Sequence, residues 1–115
     1  MGTRVTCVTF DCESPGRVAD FWSAALDWPR KGDTVRDPNS SFYLEFVPVP
    51  ERKTVKNRLH LGTCATDDLD AEIERLKRLG ATFLWEEEFP PEWPYRNVVL
   101  ADIEGNEFCL GTEAH

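Results

Sequence analysis

The stretch "RLHLGTCATDDLDAEIERLKRLGATFLWEE" (58–87) decides the fold. Its first part predicts a strand over 58–66, in which Leu59 and Leu61 alternate with His60, Gly62 and Cys64. A helix follows over 67–80. Its first turn is acidic and its last turn basic, which suits the helix dipole, and Gly80 supplies a C-terminal stop. Leu69, Ile73 and Leu76 make the apolar stripe, and Glu74 is spaced to pair with Arg78. A short strand over 81–87 closes the unit. The alternation expects Leu59 and Leu61 to face the helix and His60 to point away from it.

Reading toward the C-terminus, "EFPPEWP" (88–94) is an irregular loop surrounded by the aromatic residues Trp85, Phe89, Trp93 and Tyr95. Strands over 95–101 and 107–112 are joined by the turn "DIEGN" (102–106). Toward the N-terminus, "RVTCVTFDC" (4–12) reads as a strand with Cys7, Thr9 and Asp11 on one face. Ser14-Pro15 opens an amphipathic helix over 15–26, carrying Val18, Phe21, Trp22, Ala25 and Leu26. The turn cluster "DPNSS" (37–41) precedes a strand over 42–49, where Leu44 and Phe46 oppose Tyr43, Glu45 and Val47.

The order strand, helix, strands therefore occurs twice. Laying one half on the other puts Cys7 over His60, Leu26 over Leu79 and Asp27 over Gly80. The expected fold class is α+β. One domain spans residues 1–115, with module one at about 3–50 and module two at about 57–113. If each curved mixed sheet keeps one face for its helix, the other faces form a cleft. Alternation lines that cleft with Cys7, Thr9, Asp11, Tyr43, Glu45, His60, Gly62, Cys64, Glu107 and Cys109.

Composition sets the function classes aside or leaves them open. At 115 residues and 41% apolar content the chain can build a real core. Its net charge of −8 argues against nucleic-acid and anionic-membrane partners. The one basic cluster, Arg52, Lys53, Lys56 and Arg58, reads as a solvated loop. The start, Met1-Gly2-Thr3-Arg4, lacks a signal-peptide core, and no stretch approaches the roughly 20 apolar residues of a membrane span. A cytoplasmic location is expected. In that compartment Cys7, Cys12, Cys64 and Cys109, whose spacing matches no zinc or redox motif, are expected as thiols.

The segments "SPGRVADFWSAALDW" (14–28), "FVPVPERKTVKNRLHL" (46–61), "DLDAEIERLKRLGA" (68–81) and "ADIEGNEFCL" (101–110) resemble the glyoxalase/bleomycin-resistance/extradiol-dioxygenase superfamily, also called vicinal oxygen chelate. The small glyoxalase-like branch is the nearest likeness, and it covers nearly the whole chain. The resemblance implies paired βαβββ modules around a cleft. In metal-dependent members, strands of both modules hold one divalent ion through histidine, glutamate or glutamine. Carried over, those positions are Cys7, Glu45, His60 and Cys109, and only Glu45 and His60 keep the usual residue type. The sequence departs from the family pattern at two further places. Residues 32–41 are short for two full strands, so the first module is expected to be shortened and to lack part of a hairpin. Ile103 stands where the family's turn usually carries proline.

Two function readings follow from the resemblance. In one, the protein is a lyase, isomerase or dioxygenase that uses Zn, Ni, Mn or Fe. Glu45 and His60 are then the metal ligands or proton-transfer groups, and Cys7, Thr9, Tyr43, Glu107 and Cys109 contact the ligand. In the other, the same cleft sequesters a small organic molecule with no metal, as bleomycin-resistance proteins do. A tetrahedral zinc site using Cys7 and Cys109 with Glu45 and His60 is a further alternative, and plain burial of the two cysteines is the simplest account. The expected partners are a small-molecule ligand and a second copy of the chain, in a homodimer that covers exposed strand edges.

Overall fold

The computed structural model describes residues 2–112 of the chain. These divide into two compact units, one ending at Arg52 and the other starting at Lys53.

The first unit runs β1 (Cys7–Cys12), α1 (Pro15–Leu26), β2 (Arg30–Lys31), β3 (Thr34–Arg36) and β4 (Tyr43–Pro48). Its sheet has the order β1-β4-β3-β2, with β1 parallel to β4 and the other pairs antiparallel. Alternation assigns the faces. Phe10 and Cys12 of β1, Val35 of β3, and Leu44 and Phe46 of β4 turn toward Val18 and Trp22 of α1. Trp22, Leu44 and Phe46 are almost wholly buried, each worth about 1.5–3 kcal/mol of apolar transfer. Phe10 ties them together, with ring centroids 5.7 Å from Trp22 and 5.0 Å from Phe46. The Ser14 carbonyl accepts the first backbone bonds of α1, and Pro15 occupies its first turn. Asp27 ends it in the left-handed region at φ 56°. Arg30 then bridges Asp20 of the helix and Asp33 of the β2–β3 turn.

The second unit repeats the plan with β5 (Leu61–Cys64), α2 (Leu69–Leu79), β6 (Thr82–Glu86), β7 (Asn97–Ala101) and β8 (Glu107–Gly111). Its order is β5-β8-β7-β6, with β5 parallel to β8. Leu69, Ile73 and Leu76 are buried, as are Val98, Leu100, Phe108 and Leu110 of the sheet. The Asp68 carboxylate caps α2 by accepting the Ala71 N–H at 3.0 Å. Gly80 ends the helix at φ 118°, and a Cβ there would lie 2.8 Å from Ile103 Cγ2. Ile103, the residue that departs from the family's proline, thus lies close against the cap, and glycine is required there twice over.

Three expectations need correction. The first module is shortened but not incomplete. A hairpin of two and three residues, turning at Gly32 (φ 62°), supplies β2 and β3, and the brevity falls on strand length alone. Leu59 does not face a helix; it is 87% exposed. The strand expected over 58–66 is limited to Leu61–Cys64, so His60 lies just before it and is exposed. Asn57 gives the physical reason. Its Oδ1 accepts the Glu107 N–H at 3.0 Å and its Nδ2 donates to the Leu59 carbonyl at 3.2 Å. A side chain therefore takes the place that a longer β5 would have had beside β8. On α2, Glu74 reaches Lys77, and Arg75 pairs with Glu72.

Candidate functional site

Each sheet has one face against its helix and one face that the helix does not cover. In the first unit that open face carries Cys7, Thr9 and Asp11 of β1 beside Tyr43, Glu45 and Val47 of β4, in register. Thr34 and Arg36 of β3 continue the rows, opposite Glu45 and Tyr43. The Cys7 Sγ lies 4.0 Å from the Thr9 hydroxyl. The Arg36 guanidinium stands 5.1 Å over the Tyr43 ring, within cation–π range. Hydrogen bonding between Tyr43 and Cys7 raises the phenol's pKa, and the charges of Cys7 and Glu45 add to the effect while Arg36 opposes it. Tyr43 is held as a neutral donor. Glu45 is half-buried between Thr9 and Thr34 of the neighbouring strands, which places one carboxylate in a field of hydroxyl and thiol groups.

In the second unit the open face carries Gly62 and Cys64 of β5, Glu107 and Cys109 of β8, Asn97 and Val99 of β7, and Trp85 of β6. The Glu107 side chain is only 12% exposed, and the Lys56 ammonium pairs with it. Lys56 Nζ also stands 6.0 Å from the centroid of the Trp85 ring. A carboxylate in so enclosed a position needs a partner, and Lys56 supplies one from the loop before β5.

The sequence-derived candidates thus fall into two groups. Cys7, Thr9, Tyr43 and Glu45 share the first open face; Glu107 and Cys109 share the second, and His60 sits at its edge, two residues before Gly62. Lys56, Trp85 and Arg36 belong to these faces and were not singled out as site residues in the sequence. In the sequence Lys56 falls in the basic run 52–58 and Trp85 among the proline-loop aromatics, and neither setting marks a site. The remainder of that aromatic group does gather: Phe89 stacks on Trp93 at 6.0 Å, and Trp93 meets Tyr95 edge-on at 5.9 Å.

The glyoxalase-like domain model matches residues 7–111, and the chain belongs to that family. No curated protein matches it. Among solved structures it is similar to the fosfomycin resistance protein FosX of Listeria monocytogenes, with a TM-score of 0.76 at 13% identity over 99% of this chain and 96% of that one. It is also similar to a glyoxalase/bleomycin resistance protein/dioxygenase family enzyme from Burkholderia phytofirmans PsJN, at TM-score 0.70 and 14% identity, covering 93% and 96%. The oxidase ChaP-H2 aligns at TM-score 0.64 and 17% identity, covering 100% and 97%. At such identities these likenesses establish the fold. A mutant FosX from L. monocytogenes has been crystallised with Mn(II) and a dihydroxypropylphosphonic acid.

The donor set of this chain does not fit an ion of the manganese type. Two of the four positions implied by the resemblance are thiols, which favour soft ions, whereas manganese takes carboxylate, carbonyl and water oxygens. Among the described residues, no three side chains of His, Cys, Asp or Glu stand together in a metal-holding cluster. No helix of the described residues is long and apolar enough to cross a membrane.

Proposed function

We propose that this glyoxalase-like protein binds a small organic molecule on an open sheet face and needs no hard divalent ion to do so. The observation that carries this reading is the enclosed Glu107 carboxylate, paired with Lys56 beside Trp85, on a backbone whose N–H is held by the Asn57 side chain. It provides a fixed acceptor, a cation and an aromatic plate in one place, which together suit a polar molecule with a flat or apolar part. Cys7, Thr9, Tyr43 and Glu45 are the contact groups of the first face, and His60 and Cys109 complete those of the second. Tyr43, held protonated, donates a hydrogen bond, and Glu45 accepts one.

A second reading is supported by Glu45. A half-buried carboxylate among hydroxyl groups can act as a general base toward a carbon acid. The binding reading expects a ligand to be retained unchanged; the enzymatic one expects turnover, abolished in Glu45→Gln. The homodimer also remains a proposal. It is supported by the exposed apolar residues of edge strand β6, Phe83, Leu84 and Trp85, and light scattering showing only monomer at high concentration would refute it.

The decisive experiment is a thermal-shift screen of bleomycin, fosfomycin and a panel of aromatic carboxylic acids, each with and without added Mn(II). The expected result is stabilisation by at least one compound without manganese, lost in Glu107→Gln and in Trp85→Ala. Stabilisation that requires manganese would overturn the metal-free part of the reading.

A further inference from the structure

The parallel ladder between β5 and β8 sets Gly62 opposite Cys109 and Gly111 opposite Cys64. Each thiol therefore faces a glycine, and the two cysteines occupy opposite corners of a two-by-two patch on the open face. The other two corners have no side chain. Cys109 leans into this vacant ground: its Sγ lies 3.5 Å from where a Cβ on Gly62 would stand. That displaces it toward β5, the strand that carries Cys64. Both are free thiols, Cys64 exposed and Cys109 half-buried.

We propose that Cys64 and Cys109 form a two-thiolate site for a single soft, thiophilic metal ion of low coordination number, such as Hg(II) or Cu(I). Strand geometry selects an ion over a disulfide. Neighbouring strands about 4.8 Å apart and a two-residue step of about 6.6 Å put the two Cα atoms about 8 Å apart. A disulfide fails beyond about 7 Å. An ion with bonds of about 2.3 Å to each sulfur bridges thiols about 4.6 Å apart when the three atoms are in line. Gly62 leaves its corner to the Cys109 sulfur, while the Asn97 amide covers the Gly111 corner. Binding ionises both thiols and releases two protons to solvent; no electron is transferred.

The surroundings favour softness. The nearest carboxylate on the same face of β8, Glu107, is already neutralised by Lys56. The oxygen facing the patch, Asn97 Oδ1, lies 3.0 Å from the Cβ position of Gly111 and carries no charge. Manganese or magnesium finds no free carboxylate among these groups, whereas a soft ion needs only the sulfurs.

The test uses the intact, reduced protein and one equivalent of Hg(II), followed by gel filtration in excess 2-mercaptoethanol and native mass spectrometry. One mercury per chain, with the mass of two protons lost, is the expected result. Cys64→Ser and Cys109→Ser should each weaken retention on the order of 100-fold, because the second thiol acts at high effective concentration. Cys7→Ser should retain the ion as the unaltered chain does, and Mn(II) should not be retained. Retention in Cys64→Ser equal to that of the unaltered chain would overturn the site, as would equal losses in all three variants. Cys64 is exposed, so its replacement does not endanger the fold.

Discussion

The two modules share one topology and are held together by different means. The first relies on aromatic packing: Phe10, Phe21, Trp22 and Phe46 make a connected ring cluster beneath its sheet. Its helix has no acidic residue in the first turn and no basic residue in the last. The second packs mainly aliphatic side chains and adds polar fastenings at its edges. Arg96 donates to both oxygens of Glu86 at 2.9 Å and reaches Asp70 of α2 at 3.1 Å, tying the helix start to strand β6. Asp102 is buried at 3% exposure and accepts from the backbone of Glu104 and Asn106 and from the Asn106 amide. The same strand order thus needs no particular chemistry on its helix. It needs alternation in the strands, a helix of about three turns, and a left-handed cap to turn the chain back.

That contrast can be broken most forcibly at Trp22. Trp22→Ala removes a side chain that is 1% exposed and should cost about 3–5 kcal/mol in denaturant unfolding. A cost below about 1 kcal/mol, the range of ordinary surface changes, would show that the aromatic cluster does not hold the first module.

Asp102 tests the polar side of the comparison. Asp102→Ala leaves the 102–106 hairpin without its acceptor and should cost about 1–3 kcal/mol, with Asp102→Asn costing less. Equal melting temperatures for Asp102→Ala and the unaltered protein would mean that the turn is held by its strands alone.

The smallest effect is expected at Arg96. Hydrogen bonding to Arg96 holds the Glu86 carboxyl below its ordinary range. A carboxyl depressed in the folded state stabilises above its unfolded pKa, and that stability is lost as pH falls through the folded value. Glu86 is 40% exposed, so solvent screening limits the gain to about 0.2–1 kcal/mol. Arg96→Met should therefore lower stability slightly at pH 7 and flatten the decline below about pH 4.5, the ordinary glutamate range. Parallel acid-unfolding curves for the two proteins would assign the effect elsewhere.

Much of the fold was legible because its signals are local. The α1 bounds, the α2 stripe, the Gly80 stop and the alternation of β1, β4 and β8 all follow from residues a few positions apart. The internal repeat was legible as well. Asp27 and Gly80, laid over one another in the sequence, are both left-handed helix caps. The hairpin of β2 and β3 was missed because two- and three-residue strands are too short to show a period.

The residue types of the candidate site could be read from alternation, since a strand that keeps one face for a helix must offer the other. Sequence by itself thus determined two repeated modules, their helices, and the membership of the Cys7–Thr9 and Tyr43–Glu45 rows. Tertiary structure decided the rest. It delayed the start of β5 to Leu61, because Asn57 takes the N–H of Glu107, fifty residues away in sequence. It brought Lys56 to Glu107 and set each β5 and β8 thiol against a glycine. Register between strands that lie more than forty residues apart fixes those neighbours, and no local pattern of residue types encodes it.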